Sequence, residues 1–301
     1  MILVAGGTGH LGLELVTSLT ARGLTVRVLT RRPDHARKLL GAAPEVAAGD
    51  VRDPASLQLA LTGVDAVVSA ITGFGPGGSG PRAVDYEGNL NLIRAAEAAG
   101  VLRFVMLSIH GASPDNPMHL HRMKHLTEAA LRDSSLDWTI VRPTVFMELW
   151  TGIVGDPILK SGKTTIFGRG ENPVNLVSVR DVASVVALAL TEPATSHQTI
   201  DVGGPDNLSF RQLVGLFESA SGRTASVRHV PIPLMRLARL VLGPFRPDLA
   251  GIIEAGIATD TADMSFDPGE LRQWFPQVNL TPVEQVVRRR LADTRRLVQR
   301  P

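Results

Sequence analysis

The chain opens with the stretch MILVAGGTGHLG, residues 1–12, and this stretch decides the fold. The apolar run Ile2–Ala5 predicts a short strand, and apolar residues at helical spacing after Gly12 predict a helix that follows at once. Gly6 permits the tight turn between them, Gly9 lets the backbone approach a pyrophosphate, and Gly12 lets the helix pack closely on the strand. The start of the helix adds unpaired N–H groups and the positive end of its dipole. We therefore predict a dinucleotide-binding turn.

Beyond this stretch, segments typical of strands and of helices alternate along the first half of the chain. Alternation of this kind predicts an α/β fold with a Rossmann-type, doubly wound parallel sheet. The pair Asp53-Pro54 is typical of a capped helix start. The further predicted strands are Thr25–Thr30, Pro44–Val51, Asp65–Ile71, Leu102–Ile109 and Trp138–Pro143, and the longest predicted helices are Arg82–Ala99 and His119–Arg132.

The regular alternation loosens in the second half, where short strands and helices mix. We predict a dinucleotide-binding Rossmann domain over residues 1–145, with returning segments near 176–203. Residues 146–301 are predicted to form a small α+β C-terminal cap that is mainly substrate-binding. A cleft at the carboxyl edge of the sheet, covered by such a cap, suits a small-molecule substrate.

Composition excludes several kinds of site. With 301 residues of which 44% are hydrophobic, the chain can bury a large core, and with no cysteine it has no disulfide or zinc–thiolate site. We predict no metal site. The net charge of +2 is mildly basic, and we interpret the late arginines as a solvated helix face rather than a nucleic-acid surface. These arginines are Arg288, Arg289, Arg290, Arg295, Arg296 and Arg300.

No apolar run approaches the length of about 20 residues that a membrane-spanning helix needs. The apolar stretch Pro233–Gly243 is short and carries Arg236 and Arg239, so we predict a buried or groove-lining helix there. The chain opens on a core strand rather than on a secretory segment. We expect a cytoplasmic protein, monomeric or homodimeric, with no membrane or nucleic-acid partner.

The residues that follow the second predicted strand indicate the cofactor. A site for NAD carries an acidic residue about 20 positions after the glycines, whereas this chain has Arg31 and Arg32 there. A guanidinium group pairs with a 2′-phosphate and stacks on adenine, so these residues favour NADP(H). The nearby Asp34 lies beyond Pro33, where it is typical of a helix cap. The alternative is that both arginines are solvated surface residues.

Asp50 and Val51 close the third predicted strand, where such folds meet the adenine edge. The alternative for Asp50 is that it caps a turn. The candidate cofactor-binding residues up to this point of the chain are Gly6, Thr8, Gly9, His10, Leu11, Gly12, Arg31, Arg32, Asp50, Val51 and Ala70.

An ordered series of motifs resembles the NmrA-like group of atypical short-chain dehydrogenase/reductases. The resemblance implies a Rossmann fold and NADP(H) binding, but it does not imply one reaction. The group contains quinone, dye and olefin reductases, redox-sensing regulators and catalytically silent members. The motifs are GGTGHLG at the start, Gly49-Asp50, Val84-Asp85-Tyr86-x-Gly88-Asn89, Lys124-His125-x-Thr127-Glu128, Asp137–Pro143, Val179–Ala183 and Gly203-Gly204-Pro205.

The catalytic motif of the superfamily is incomplete. Typical members carry Tyr-x-x-x-Lys, in which the tyrosine exchanges a proton with a carbonyl group and the lysine lowers the pKa of that tyrosine. Lys124 lies at the lysine position, but Leu120 stands where the tyrosine is expected. The one tyrosine of the chain, Tyr86, starts another predicted helix.

Several residues are candidates to replace this tyrosine. Lys124 can hold the nicotinamide ribose and donate a proton itself. His121 lies on nearly the same helical face, and Ser108 matches the superfamily's substrate-orienting serine. His110 and His119 lie nearby in sequence. The alternatives are a solvated lysine, a surface histidine at position 121 and a serine that caps a strand end.

The predicted function is an NADPH-dependent reductase of a small hydrophobic substrate that is quinone-like, an enone or a cyclic carbonyl compound. A hydride acceptor of this kind takes its proton from water or from a weakly placed group. The alternative is an NADP(H)-sensing regulatory or scaffold protein without turnover. The predicted substrate pocket contains apolar and aromatic side chains, for which core packing is the alternative: Thr72, Phe146, Met147 and Trp150.

Overall fold

The computed structural model describes residues 1–75, 77–243 and 245–298. The strands are β1 Ile2–Ala5, β2 Val26–Thr30, β3 Glu45–Ala48, β4 Ala66–Ser69, β5 Arg103–Leu107, β6 Asp137–Pro143, β7 Val145–Phe146, β8 Lys163–Phe167, β9 Val174–Val177, β10 Gln198–Val202, β11 Asp206–Leu208 and β12 Ser226–Val230.

Helices connect most of these strands. Two segments, Arg82–Gly88 and Thr151–Gly155, are π-helical. The α-helices are α1 His10–Ala21, α2 Pro33–Leu40, α3 Pro54–Ala60, α4 Asn89–Ala98, α5 His119–Arg132, α6 Met147–Trp150, α7 Asp156–Ser161, α8 Val179–Ala189, α9 Phe210–Ser221, α10 Ile232–Leu242, α11 Pro247–Thr261, α12 Gly269–Trp274 and α13 Val283–Val298.

The central sheet has seven strands in the order β10-β6-β5-β4-β1-β2-β3. Every neighbouring pair from β6 to β3 is parallel. The order 3-2-1-4-5-6 within it is that of a Rossmann fold, with its topological switch point between β1 and β4. The Rossmann-type, doubly wound sheet predicted from the sequence is confirmed.

The chain divides into two compact units, each with its own core. The first comprises Met1–Pro143 and Val182–Asp201, and side chains such as Phe104 are fully buried in it. The second comprises Thr144–Asp181 and Val202–Pro301, and it contains a three-stranded sheet, β11-β9-β7, and a two-stranded sheet, β12-β8.

Helix α10 is more exposed than its apolar sequence predicts. Within it Met235 is buried, but Leu237 is 57% exposed and Leu240 is 75% exposed. Of the two alternatives, the buried helix is wrong for these residues, because α11 covers the side of the helix that carries Met235, which reaches Gly256. The groove-lining helix stays a prediction. In the described ranges we find no helix with the length and apolar content that crossing a membrane requires.

The late arginines do not form one solvated face. Arg288 is exposed and pairs with Glu284 within α13, as predicted for a solvated side chain. Arg290 instead donates to both carboxylate oxygens of Asp156, so it joins α13 to α7. Arg300 and the side chains of Arg295 and Arg296 lie outside the described residues.

Candidate cofactor and active site

Two glycines of the turn are required by packing, and the third leaves space for a ligand. A Cβ atom on Gly6 would lie 2.5 Å from the carbonyl oxygen of Ala70, and one on Gly12 would lie 2.1 Å from that of Gly6. Both glycines are therefore required by packing. A Cβ on Gly9 would have no neighbour closer than 3.5 Å, an ordinary contact distance. The fold leaves the space beside Gly9 open, which fits the close approach of a pyrophosphate.

The first turn of α1 is suited to an anion. Gly9 is the N-cap residue, so the helix begins without a side chain that accepts a hydrogen bond from its first amides, and no acidic residue lies in its first turn. The first N–H groups of a helix have no partner within the helix and carry the positive end of its dipole. The half-buried Thr8 and Leu11 and the exposed His10 border this turn. The residues present thus fit a dinucleotide, as predicted.

Arg31 and Arg32 follow β2 directly and both are exposed. No acidic residue directly follows β2 in the sequence, but Asp50, after β3, lies near enough for Arg31 to add to the lowering of its pKa that Arg52 causes. Asp34 does not cap α2, because Arg32 is the N-cap residue. Its carboxylate accepts a hydrogen bond from Arg37 at 3.0 Å within the helix. Their exposure leaves both guanidinium groups accessible to a 2′-phosphate. Their role in holding that phosphate stays a prediction.

Asp50 is already engaged at the end of β3. One carboxylate oxygen accepts from the backbone N–H of Arg52 at 3.0 Å, and the other lies 2.6 Å from its guanidinium group. The hydrogen bond from Arg52 holds the pKa of Asp50 below its usual range. Asp50 therefore caps a turn, the alternative interpretation, while contact with adenine stays a prediction. The adjacent Val51 is buried, and its carbonyl oxygen accepts from Asn91.

Lys124 lies inside the first unit and is 4% exposed, so it is not the solvated lysine of the alternative interpretation. Its ammonium group donates to the carbonyl oxygens of Leu107 at 2.9 Å and Ile71 at 3.2 Å. The Oδ1 atom of Asp85, a fully buried residue, lies 3.1 Å away. The other oxygen of Asp85 accepts from the backbone of Gly73 at 2.8 Å. Lys124 therefore joins α5 to the ends of β4 and β5 and to the π-helical segment.

Ser108 is also bonded within the fold. Its hydroxyl group donates to Glu128, which is fully buried and which also accepts from the Arg142 guanidinium group at 2.8 Å. The hydrogen bond with Glu128 raises the pKa of Arg142. Glu128 and Arg142, which belong to two separate motifs, thus form one partly buried ion pair that the sequence did not predict. A substrate-orienting role of Ser108 stays a prediction.

His121 is buried rather than on the surface, with 5% of the residue exposed. Its Nδ1 atom is buried and has no hydrogen-bond partner. Burial, and secondarily the nearby His110, lowers the pKa of His121 to about 4. His121 is therefore a neutral imidazole near pH 7.

His110 and Asp201 form a pair at the carboxyl edge of the sheet. The Nδ1 atom of His110 lies 2.8 Å from Oδ1 of Asp201, and the two side chains are 43% and 34% exposed. Asp201 belongs to β10, the outermost strand. Sequence reasoning missed Asp201, because a separation of 91 residues leaves no local pattern that links it to His110.

The predicted pocket residues have different surroundings. Thr72, in the first unit, is exposed, and its hydroxyl oxygen accepts from the backbone of Phe74. In the second unit Phe146 is half-buried, whereas Met147 and Trp150 belong to the core, and Trp150 packs on Phe210 at 4.6 Å between ring centres. Core packing describes Met147 and Trp150, and a substrate-lining role of all four residues stays a prediction.

Comparison with known proteins identifies the family. Residues 6–193 match the sequence profile of a family described as NAD(P)H-binding. The chain belongs to this NAD(P)H-binding family. Its profile begins at Gly6, the first glycine of the turn described above. The match confirms the predicted resemblance to NAD(P)H-binding proteins and the predicted nicotinamide dinucleotide.

Two relatives and one solved structure are similar to this chain. An NAD(P)H azoreductase of Xenophilus azovorans is 35% identical over 82% of this chain and 82% of its own length. The photosystem II assembly factor Ycf39 of Synechocystis sp. is 33% identical over 79% of this chain and 73% of its own. The structure of an NADPH-dependent quinone oxidoreductase of Escherichia coli complexed with NADPH matches with a TM-score of 0.78 and 22% identity, over 95% of this chain and 98% of that one. At that identity the likeness shows the fold alone.

Proposed function

We propose that this protein is an NADPH-dependent reductase of a small hydrophobic acceptor that is quinone-like, an enone or a cyclic carbonyl compound. The observation that carries the proposal is the glycine turn, where the fold leaves the space beside Gly9 open and α1 begins without a capping side chain. The 35% identity with an NAD(P)H azoreductase supports reductase chemistry. When bound, NADPH supplies a hydride, and the protein binds and orients the reactants.

The reacting end of the site favours acceptors that are already electron-poor. Leu120, a buried side chain, stands where the superfamily has its tyrosine, so no phenol group polarises an ordinary ketone there. A quinone or an activated alkene accepts a hydride without such strong polarisation. At the other end, Arg31 and Arg32 bind the 2′-phosphate in this proposal.

The test is steady-state NADPH oxidation by the purified protein with a quinone, an azo dye and a cyclic enone. We expect turnover with at least one acceptor and a higher kcat/KM with NADPH than with NADH. The variant Gly9→Val, which fills the space beside the turn, is expected to lower kcat/KM for NADPH because its side chain obstructs the pyrophosphate. Binding of NADPH without oxidation by any acceptor would contradict the proposal.

A second candidate is an NADP(H)-sensing protein without turnover. One structural observation favours it, because the ammonium group of Lys124 already has three partners inside the fold. The 33% identity with a photosystem II assembly factor supports the same candidate. NADPH binding measured by calorimetry, together with no oxidation across the acceptor panel, is the result that this candidate requires.

A further inference from the structure

The pair formed by His110 and Asp201 is partly exposed at the carboxyl edge of the sheet, unlike the buried ion pair between Lys124 and Asp85. We propose that His110, oriented by Asp201, is the proton donor that takes the place of the missing tyrosine. The inference rests on the proposed reductase function. It names the residue that completes the reaction after hydride transfer.

The order of the strands places His110 at the reacting end of the cofactor. The glycine turn follows β1, and Arg31 follows β2 on one side of it, so the adenosine half of a bound dinucleotide would be held over β2 and β3. The nicotinamide half would then be held over the carboxyl ends of β4, β5 and β6. His110 follows β5, and its backbone N–H donates to the carbonyl oxygen of Pro143 at the end of β6 at 2.9 Å.

Three other candidate donors, Lys124, Ser108 and His121, are bonded within the fold or uncharged. Lys124 is bonded to two carbonyl oxygens and lies against Asp85. The hydroxyl group of Ser108 donates to Glu128. His121 is buried, and its pKa of about 4 leaves it without a proton to donate near neutral pH.

His110 has the surroundings that a proton donor needs. Its side chain is 43% exposed, so an acceptor can reach it and solvent can restore its proton. The carboxylate of Asp201, 2.8 Å from Nδ1, orients the ring. With Nδ1–H directed to Asp201, the proton that is transferred is the one on Nε2.

The proposed reaction needs only NADPH, the acceptor and His110. The acceptor gains a hydride from NADPH at one of its electrophilic atoms, and a π bond of the conjugated system breaks as a new bond to hydrogen forms. The displaced electron pair moves to the carbonyl oxygen, which takes the proton from Nε2 of His110. The products are NADP⁺, the reduced acceptor and a neutral imidazole, which is protonated again by solvent.

The test compares two acceptors that differ in their need for a proton. A quinone needs a hydride and a proton, whereas a cationic triarylmethane dye takes a hydride at its central carbon and needs no proton. We expect His110→Gln to lower kcat for the quinone at least about 100-fold, because general acid catalysis contributes factors of this size. Hydride transfer to the dye is expected to stay within about twofold of the wild-type rate.

Three further measurements make the result decisive. Asp201→Asn should lower the quinone rate and spare the dye rate, and added imidazole should restore quinone turnover to His110→Ala. His35→Gln, a change at an exposed histidine of α2, is the matched control and should leave both rates unchanged. Equal losses with both acceptors, or no loss and no rescue, would overturn the inference while the reductase stands. A wild-type protein that oxidises NADPH with neither acceptor overturns the proposed function and the inference together.

Discussion

The buried imidazole of His121 links the stability of the protein to pH. An unfolded histidine binds its proton near pH 6.5, whereas the pKa of His121 in the folded protein is about 4 because of burial and the nearby His110. Between these pH values the unfolded chain holds more protons, so the unfolding free energy falls as the pH falls. The full loss between pH 7 and pH 4 is about 3 kcal/mol.

The variant His121→Phe should lack this contribution. We expect its unfolding free energy, measured by urea denaturation, to fall about 3 kcal/mol less than that of the wild type between pH 7 and pH 4. His125→Gln, at a half-buried histidine of the same helix, should keep the wild-type pH dependence. Identical slopes for the wild type and His121→Phe would show that the imidazole is not buried.

Single residues also show where sequence reasoning ends. The resemblance to the superfamily motif places Leu120 at the tyrosine position and Lys124 at the lysine position, and a motif of four-residue spacing is local enough to be found in the sequence. The partner of Lys124 is 39 positions away in Asp85, and that of His110 is 91 positions away. Such contacts depend on which strands become neighbours, and no periodicity along the chain encodes them.

At the scale of elements, the ion pair between Lys124 and Asp85 holds α5 against the π-helical segment. Both side chains are buried, and removal of one partner leaves the other charge without compensation. Breaking a buried pair in this way costs about 3–5 kcal/mol. We expect Lys124→Met to lower the unfolding free energy by this amount in urea denaturation, so a loss of activity in Lys124 variants is partly a loss of folded protein.

The double variant Lys124→Met, Asp85→Asn tests whether the two charges stabilise each other. We expect it to be more stable than Lys124→Met alone, because no unpaired charge remains in the interior. Arg37→Gln is the control, since it removes an exposed pair within α2 and should cost less than about 1 kcal/mol. Additive losses in the double variant would show that the two charges do not stabilise each other.

Element boundaries were predictable where local signals are strong. Helix α5 spans His119–Arg132, as the apolar spacing predicts, and Asp53 caps α3 by accepting from Ala55. The predicted helix Arg82–Ala99 instead begins with a π-helical segment over Arg82–Gly88. Apolar spacing does not distinguish a π-helix from an α-helix. In the π-helical segment Asp85 makes hydrogen bonds with Gly73 and Thr127, and such long-range contacts leave no local pattern in the sequence.

At the scale of the whole molecule, the parallel sheet was predictable because strand–helix alternation admits few topologies. The strand pairing of the second unit was less predictable from the sequence. Its strands β9 and β11 pair antiparallel with Asn175 opposite Asn207, and the amide of Asn175 also binds the backbone of Gly204. These contacts depend on packing between segments that are distant along the chain. The nicotinamide dinucleotide, by contrast, was predictable from the glycine turn at the start of the chain.

Cofactor binding should stabilise the folded protein, and the size of the stabilisation should differ between NADPH and NADH. A ligand that binds the folded state at 100 times its Kd adds about 2.7 kcal/mol to the unfolding free energy. We expect NADPH to raise the Tm more than NADH at equal concentration, with a tenfold difference in Kd corresponding to about 1.4 kcal/mol.

The double variant Arg31→Ala, Arg32→Ala changes exposed side chains, so its unfolding free energy without ligand should stay within about 0.5 kcal/mol of the wild-type value. With NADPH it should lose its advantage over NADH, because the 2′-phosphate no longer has a guanidinium partner. Greater stabilisation of the wild type by NADH would contradict the assignment of these two arginines.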